Sequence, residues 1–424
     1  MKTYLDRLIP LIVLLAATAG CGAPVERSDV LITNARLIDG TGGIKEGAMI
    51  AISGNRIEGI FSDGEPREGD LTIDAAGRTV MPGLIDSHVH ILVDEPVVDE
   101  NTLAEYLENS VRKNLAGFLS HGVTTVRSAG DPEDAILELR QLIEEGKIEG
   151  PRLLVVGPVL SAPGGHPSVT IFADNPWIRE RIVGELESVE GAKETIVRLA
   201  EKGVDGIKIV YQGSDNESPS YLYGGRISIR RLPREVMETI IEESHRHGLR
   251  VTAHTFEEEG VISVVEAGVD SLEHGVVAKT PVSEPVVEML REAGVFYIPT
   301  LQVFRAAEAR ERAMANLKQL SEAGVRIVLG TDTVGDTPAG SNTISEAERM
   351  VEAGMSPAQV IQAATRDAAE HLGRGDDLGT LEAGKLADLI IVEGDPLQNI
   401  SVLRTPWMVL KGGRVVVDNR QEKF

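Results

Sequence analysis

The sequence predicts an α/β chain: a (β/α)8 TIM barrel with a small β-sandwich domain formed from both termini. Three observations predict it. Short β-rich runs closed by glycine turns occupy both ends of the chain. Between them, eight short apolar runs alternate with amphipathic helical stretches, which fits a closed barrel better than an open doubly wound sheet. No Gly-x-Gly-x-x-Gly opens a helix after the first strand, as a dinucleotide fold requires.

From the N-terminus, residues 1–7 carry Lys2 and Arg7, and residues 8–19 are apolar apart from Pro10 and Thr18. That stretch is too short for a finished transmembrane helix and suits a signal-peptide core. Small residues lead into Cys21, the only cysteine of 424 residues, so no internal disulfide framework exists. The arrangement resembles a bacterial lipoprotein signal. It implies a signal peptide over 1–21, a lipidated Cys21, and an exported chain anchored to a membrane and facing the periplasm or cell surface. Membrane contact is expected through that lipid alone.

Residues 30–80 and 380–424 read as one composite β domain, with strands at 30–32, 48–52, 56–61, 387–392, 408–410 and 414–417 punctuated by Gly40, Gly42-Gly43, Gly54 and Gly412-Gly413. Residues 81–375 read as the catalytic barrel. Its strands are expected at 84–86, 123–127, 153–156, 206–210, 251–254, 271–274, 295–299 and 327–330. Helices are expected at 103–119, 133–144, 192–201, 234–247, 261–267, 284–292 and 313–322, several closed by a glycine where a left-handed cap is wanted. The polar loops 162–176 and 214–228 are placed to cover an active site, and their substrate code is not readable.

Composition narrows the partners. Lys and Arg number 42 against 66 Asp and Glu, a formal charge of −24, and aromatics make up 4%. An acidic surface repels phosphate backbones and offers few stacking platforms, so the expected partner is a small-molecule substrate and not nucleic acid. Oligomeric state is not legible.

The chemistry sits at strand ends. Asp86-Ser87-His88-Val89-His90 closes the first strand, and the two-residue period of an extended chain points His88 and His90 to one side. Lys208, His254, His274 and Asp332 end or nearly end four further strands, where barrel enzymes collect their functional groups. Imidazole and carboxylate suit Zn²⁺ and similar ions. Lys208 is the odd member, because an ammonium in a cationic site is repelled. Carbamylation by CO2 would convert it to a carboxylate able to bridge two ions; the alternative is an ion pair with Asp or Glu at the barrel rim.

The ordered set His88-x-His90, Lys208, His254, His274, Asp332 resembles the amidohydrolase superfamily, binuclear subtype, over essentially the whole mature chain. Asn34-Ala35-Arg36-Leu37-Ile38-Asp39-Gly40, Met81-Pro82-Gly83-Leu84-Ile85-Asp86 and Gly384-Lys385-Leu386-Ala387-Asp388-Leu389 are hallmark stretches. Gly122-Val123-Thr124-Thr125-Val126-Arg127, Gly164-Gly165-His166 and Ala363-Ala364-Thr365 are similar to imidazolonepropionase-like and prolidase-like members. The resemblance implies two divalent metal ions, zinc by preference, one held by His88, His90 and Asp332 and the other by His254 and His274. Carbamylated Lys208 and a hydroxide would bridge them, and Asp332 would act as general base and then protonate the leaving nitrogen.

Substrate-facing candidates are His166, for a substrate carbonyl or carboxylate, and Tyr223, for the developing oxyanion; Tyr211 and Tyr221 are its rivals. A structural role for His166 is equally open, and Pro167 departs from the glycine of prolidase-like relatives. Arg127 reads as a structural ion-pair partner, because Ser128 replaces the acidic residue expected beside it. His121, His245, His247 and His371 read as non-catalytic helix-end or surface groups. The expected activity is metal-dependent cleavage of a C–N amide bond in an N-acyl amino acid, dipeptide or cyclic amide. Hydrolysis of a lactone or ester at the same site is the alternative, followed by a non-catalytic metal- or ligand-binding lipoprotein, against which the carboxylate of Asp332 speaks.

Overall fold

A computed structural model describes residues 26–93, 97–213, 228–334 and 339–420. The segment expected to be a signal, with Cys21, and Tyr221 and Tyr223 lie outside the described residues.

Eight parallel strands carry the centre of the molecule: Leu84–His90, Val123–Ser128, Arg152–Val155, Gly206–Val210, Arg250–His254, Ser271–Glu273, Phe296–Ile298 and Arg326–Ile327. Every residue of Val123–Ser128 and Gly206–Val210 is buried, as strands covered on both faces must be. A short strand, Val159–Ser161, follows the third strand and pairs with Lys208 and Ile209 of the fourth. The barrel closes where Asp332 N–H donates to His88 O at 2.8 Å and Thr333 pairs with Val89. The chain thus folds as an α/β barrel carrying a β-sandwich-type domain. The outer helices are amphipathic: Glu284–Ala293 buries Val286, Val287 and Leu290 and stops at Gly294, whose φ of +66° is cheap only without a Cβ.

The second unit is an eight-stranded sheet drawn from both chain ends, with Leu389–Val392 hydrogen-bonded to Thr79–Pro82 and that strand to Glu26–Ile38. Its two faces follow the period of two: Val30, Ile32, Ile50 and Ile52 pack in one cluster, while Leu31, Met49 and Ala51 pack in another.

Two elements depart from expectation. The helix expected over 103–119 begins at Glu100, because Asp99 and Thr102 form a reciprocal capping box, and a π-helical stretch at Leu107–Val111 interrupts it. The eighth strand, expected over 327–330, ends at Ile327. Beyond it, Leu329 N–H turns to Ala363 O, and Thr331 and Asp332 N–H both turn to His88 O. That departure from the ladder swings Asp332 over the first strand.

Candidate metal centre

The C-terminal ends of the strands open into a cleft of about 970 Å³, its mouth included. Its lining contains His88, His90, His166, Lys208, His254, His274 and Asp332. Six residues spread over about 240 positions of sequence, together with His166, therefore share one cavity.

The first strand delivers His88 and His90 with Nε2 atoms 3.4 Å apart, and Asp332 Oδ1 lies 3.3 Å from one and 3.2 Å from the other. Ligands held at ~2.0–2.1 Å by a tetrahedral ion sit about 3.3 Å from one another. The triangle has those edges, whereas direct charge-assisted hydrogen bonds would close to about 2.7–2.9 Å. These three side chains fit a divalent cation. The tautomer agrees: Nδ1 of His90 lies 2.7 Å from Gly130 O and donates to it, which leaves the Nε2 lone pair facing Asp332. His88, Glu273 and His274 form a second, fully buried group of facing donors.

The remaining imidazoles are aimed by their partners. His254 Nε2 bonds Gln212 Oε1 at 2.8 Å, and His274 Nδ1 bonds Thr300 Oγ1 at 2.6 Å. The other nitrogen of each ring carries no hydrogen bond to the described residues, and the rings lie 4.5 Å apart. Register sets their height in the barrel, since His254 pairs with Val210 on one side and Glu273 on the other. Burial holds four of the imidazole pKa values down: His274 and His166 fall to about 3, and His88 and His254 lie well below the ordinary range, whereas at His90 burial is outweighed by the hydrogen bond and charge of Asp332 and the pKa rises. Neutral imidazoles keep the lone pairs a metal needs. Burial opposes the charge of Asp332, but His88 and His90 outweigh it and hold this carboxylate well below its usual range.

Lys208 is fully buried, with Nζ against Glu273 Oε2. Burial lowers this amine well below a normal lysine. Glu273 also takes the Arg127 guanidinium at 2.7 Å, while Arg127 Nε donates to Ser87 O at 2.6 Å. Arg127 is thus the other half of a buried ion pair in the barrel interior.

Around the ligands stands a layer of buried carboxylates and hydroxyls. Asp86 accepts from Thr331 N and Oγ1, Thr343 Oγ1 and His88 N, at 2.8–3.2 Å. Its pKa is pushed up to about 6 by burial, against those bonds. Asp131 accepts from the backbone of Ile91 and Leu92 and from Ser128 Oγ, tying down the loop after His90. Sequence reading overlooked Glu273, Thr300, Gln212 and Asp131. The one available signal was that Glu273 is a carboxylate on an apolar strand, next to a ligand candidate.

The other sequence candidates fall as follows. His166 stacks on His254 with ring centroids 4.5 Å apart and bonds Thr170 Oγ1 at 2.6 Å, so it belongs to the cleft wall. Tyr211 is buried beneath Arg231 and does not line the cleft. His121 bonds Gly117 O at its helix end, His245 pairs with Asp270 and His247 with Glu243. His371 is buried against Phe296. No described helix is long and apolar enough to cross a membrane.

Known proteins resemble this chain over most of its length. The amidohydrolase family model matches residues 79–417. Ochratoxinase of Aspergillus niger is 28% identical, covering 89% of this chain and 85% of its own length. Imidazolonepropionase of Shouchella clausii is 26% identical, over 89% and 87%. Among solved structures, a Xaa-Pro dipeptidase with bound methionine superposes with a TM-score of 0.75 at 28% identity, covering 91% of this chain and 99% of that one. A prolidase complexed with N-methylphosphonate-L-proline gives 0.76 at 26% identity, over 92% and 99%.

Proposed function

The chain belongs to the amidohydrolase family and is an amidohydrolase, and from that premise we propose that it cleaves a C–N amide bond in a small substrate such as an N-acyl amino acid, a dipeptide or a cyclic amide, using two divalent ions. The observation that carries the proposal is the His88–His90–Asp332 triangle, whose edges suit one tetrahedral ion. The names of the relatives support the bond type, since imidazolonepropionase and prolidases are among them.

In this reading His88, His90 and Asp332 hold one ion, and His254 and His274 hold the other. Lys208, as a carbamate, would supply a further carboxylate donor. Burial disfavours the charged ammonium and so favours that modification, because only a free amine attacks CO2; the N–C bond would form as one C=O electron pair of CO2 moves to oxygen and one amine proton passes to water. Arg127 offsets the charge of Glu273 next to it. When bound, the ions (zinc by preference) supply Lewis acidity, lowering the pKa of a water and polarising the scissile carbonyl. Asp332 takes the proton of the attacking water, holds it on a carboxylate oxygen, and returns it to the leaving nitrogen, so that an amine departs neutral. His166, neutral and fixed by Thr170, is placed to hydrogen-bond the substrate carbonyl or carboxylate. Tyr223 is the further proposed donor to the oxyanion.

The test is metal content together with turnover. Two equivalents of bound metal and hydrolysis of at least one class of amide are expected; two equivalents with ester or lactone turnover alone would reassign the bond. Metal without any turnover would leave a binding protein. The same proposal makes the chain an exported lipoprotein lipidated at Cys21, tested by mass spectrometry of the mature N-terminus; an unmodified thiol there would reject it.

A further inference from the structure

The cleft is polar only where the imidazoles, Lys208 and Asp332 gather. Around them its walls are apolar, with Phe172, Phe256 and Phe304 all buried there. Its rim is more unusual. Six large apolar side chains stand exposed among the described residues, and three of them, Ile171 at 58%, Val334 at 46% and Val303 at 38%, line this one cleft. Single exposed aliphatics need no explanation, but three gathered at the mouth of a reaction site do. Unspent apolar surface there gains free energy only when something apolar covers it.

An uncharged hydrocarbon group meets matching surface over much of the described enclosure.

We propose that the enzyme selects amides bearing a bulky uncharged apolar group, an aliphatic chain or an aromatic ring, seated beside the scissile bond against Ile171, Val303, Phe304 and Val334. This deepens the functional reading above and rests on it. It shifts the preferred substrate away from free dipeptides and short N-acyl amino acids, and makes the rim residues determinants of specificity.

The test uses the metal-loaded enzyme on 4-nitroanilides of acetic, butanoic, hexanoic and octanoic acids. kcat/KM should rise about fourfold per methylene until the cleft is filled. Ile171→Asp and Val303→Asp, at exposed positions that tolerate a charge for folding, should flatten the chain-length series. A flat series in the wild type would overturn the proposal. A second measurement separates it from the reaction assignment: titration with Nile red, an uncharged solvatochromic dye. Binding by the wild type that both aspartate variants lose supports the apolar seat even if no amide turns over, in which case the assigned reaction alone fails. Absence of dye binding to the wild type overturns the seat, whatever the turnover.

Discussion

Replacing Thr300 by valine removes one hydroxyl and keeps the shape. Thr300 is fully buried, and its Oγ1 stands 2.6 Å from His274 Nδ1. Its φ is +45°, a conformation that a β-branched residue avoids at a cost of about 1–3 kcal/mol. The turn is held there by Glu346, whose carboxylate accepts Leu301 N–H at 2.7 Å and Gln302 N–H at 2.9 Å. Valine leaves a buried imidazole N–H unpaired, which destabilises the fold by about 1–3 kcal/mol. It also frees the ring to turn, and loss of such an outer partner weakens metal binding about 10–100-fold. Serine at this position keeps the hydroxyl and should restore affinity. Glycine deletes the hydroxyl but relieves the strained φ, so its folding stability should recover while the metal defect persists. Competition for metal against a chromogenic chelator, with urea unfolding of the metal-free proteins, separates the two effects. Wild-type metal affinity in Thr300→Val would show that the hydroxyl does not orient His274, and the reasoning would fail.

Three further outcomes are expected. Asp332→Asn should fold but lose about 10²–10⁴-fold in kcat, because an amide cannot take the proton; a near-normal rate measured at matched metal content would remove Asp332 from proton transfer. Lys208→Ala should bind one metal equivalent where the wild type binds two, read by elemental analysis; retention of both ions would contradict the carbamate bridge. Glu346→Gln should flatten the dependence of stability on pH. Burial lifts the Glu346 pKa to about 8 from 4.5, outweighing its two backbone hydrogen bonds. A raised folded-state pKa contributes stability that is full below about 4.5 and is lost as pH climbs through 8. Between pH 5 and 8 that amounts to at most about 4 kcal/mol, at 1.36 kcal/mol per unit. Urea denaturation of both proteins across that range checks it, and parallel pH profiles would sink the assignment.

Much of this molecule was legible from its sequence, because the signals involved are local. Alternation placed His88 and His90 on one side of an extended strand, and they share one cleft with Nε2 atoms 3.4 Å apart. Apolar runs spaced by amphipathic stretches marked barrel strands, and the residues ending those runs line the cavity. Helix ends were less legible where a cap was overlooked, as at Asp99, and the eighth strand was drawn too long because its continuation bonds to the first strand across the barrel.

Tertiary structure alone decided how those groups are aimed. Among the described residues five non-glycine residues have positive φ, and three of them are His274, Thr300 and Asp332, each in a segment that follows a barrel strand and at the site. For the β-branched Thr300 local propensity opposes that conformation, and hydrogen bonds from distant segments hold such turns in place, such as Asp332 N–H to His88 O. The pairing of Glu273 with Lys208 and Arg127 is likewise a meeting of three strands far apart in the chain. So is the gathering of Ile171, Val303 and Val334 on one rim. Residue type and period are properties of neighbours along the chain, whereas the direction of a lone pair and the company of an exposed side chain belong to the closed barrel.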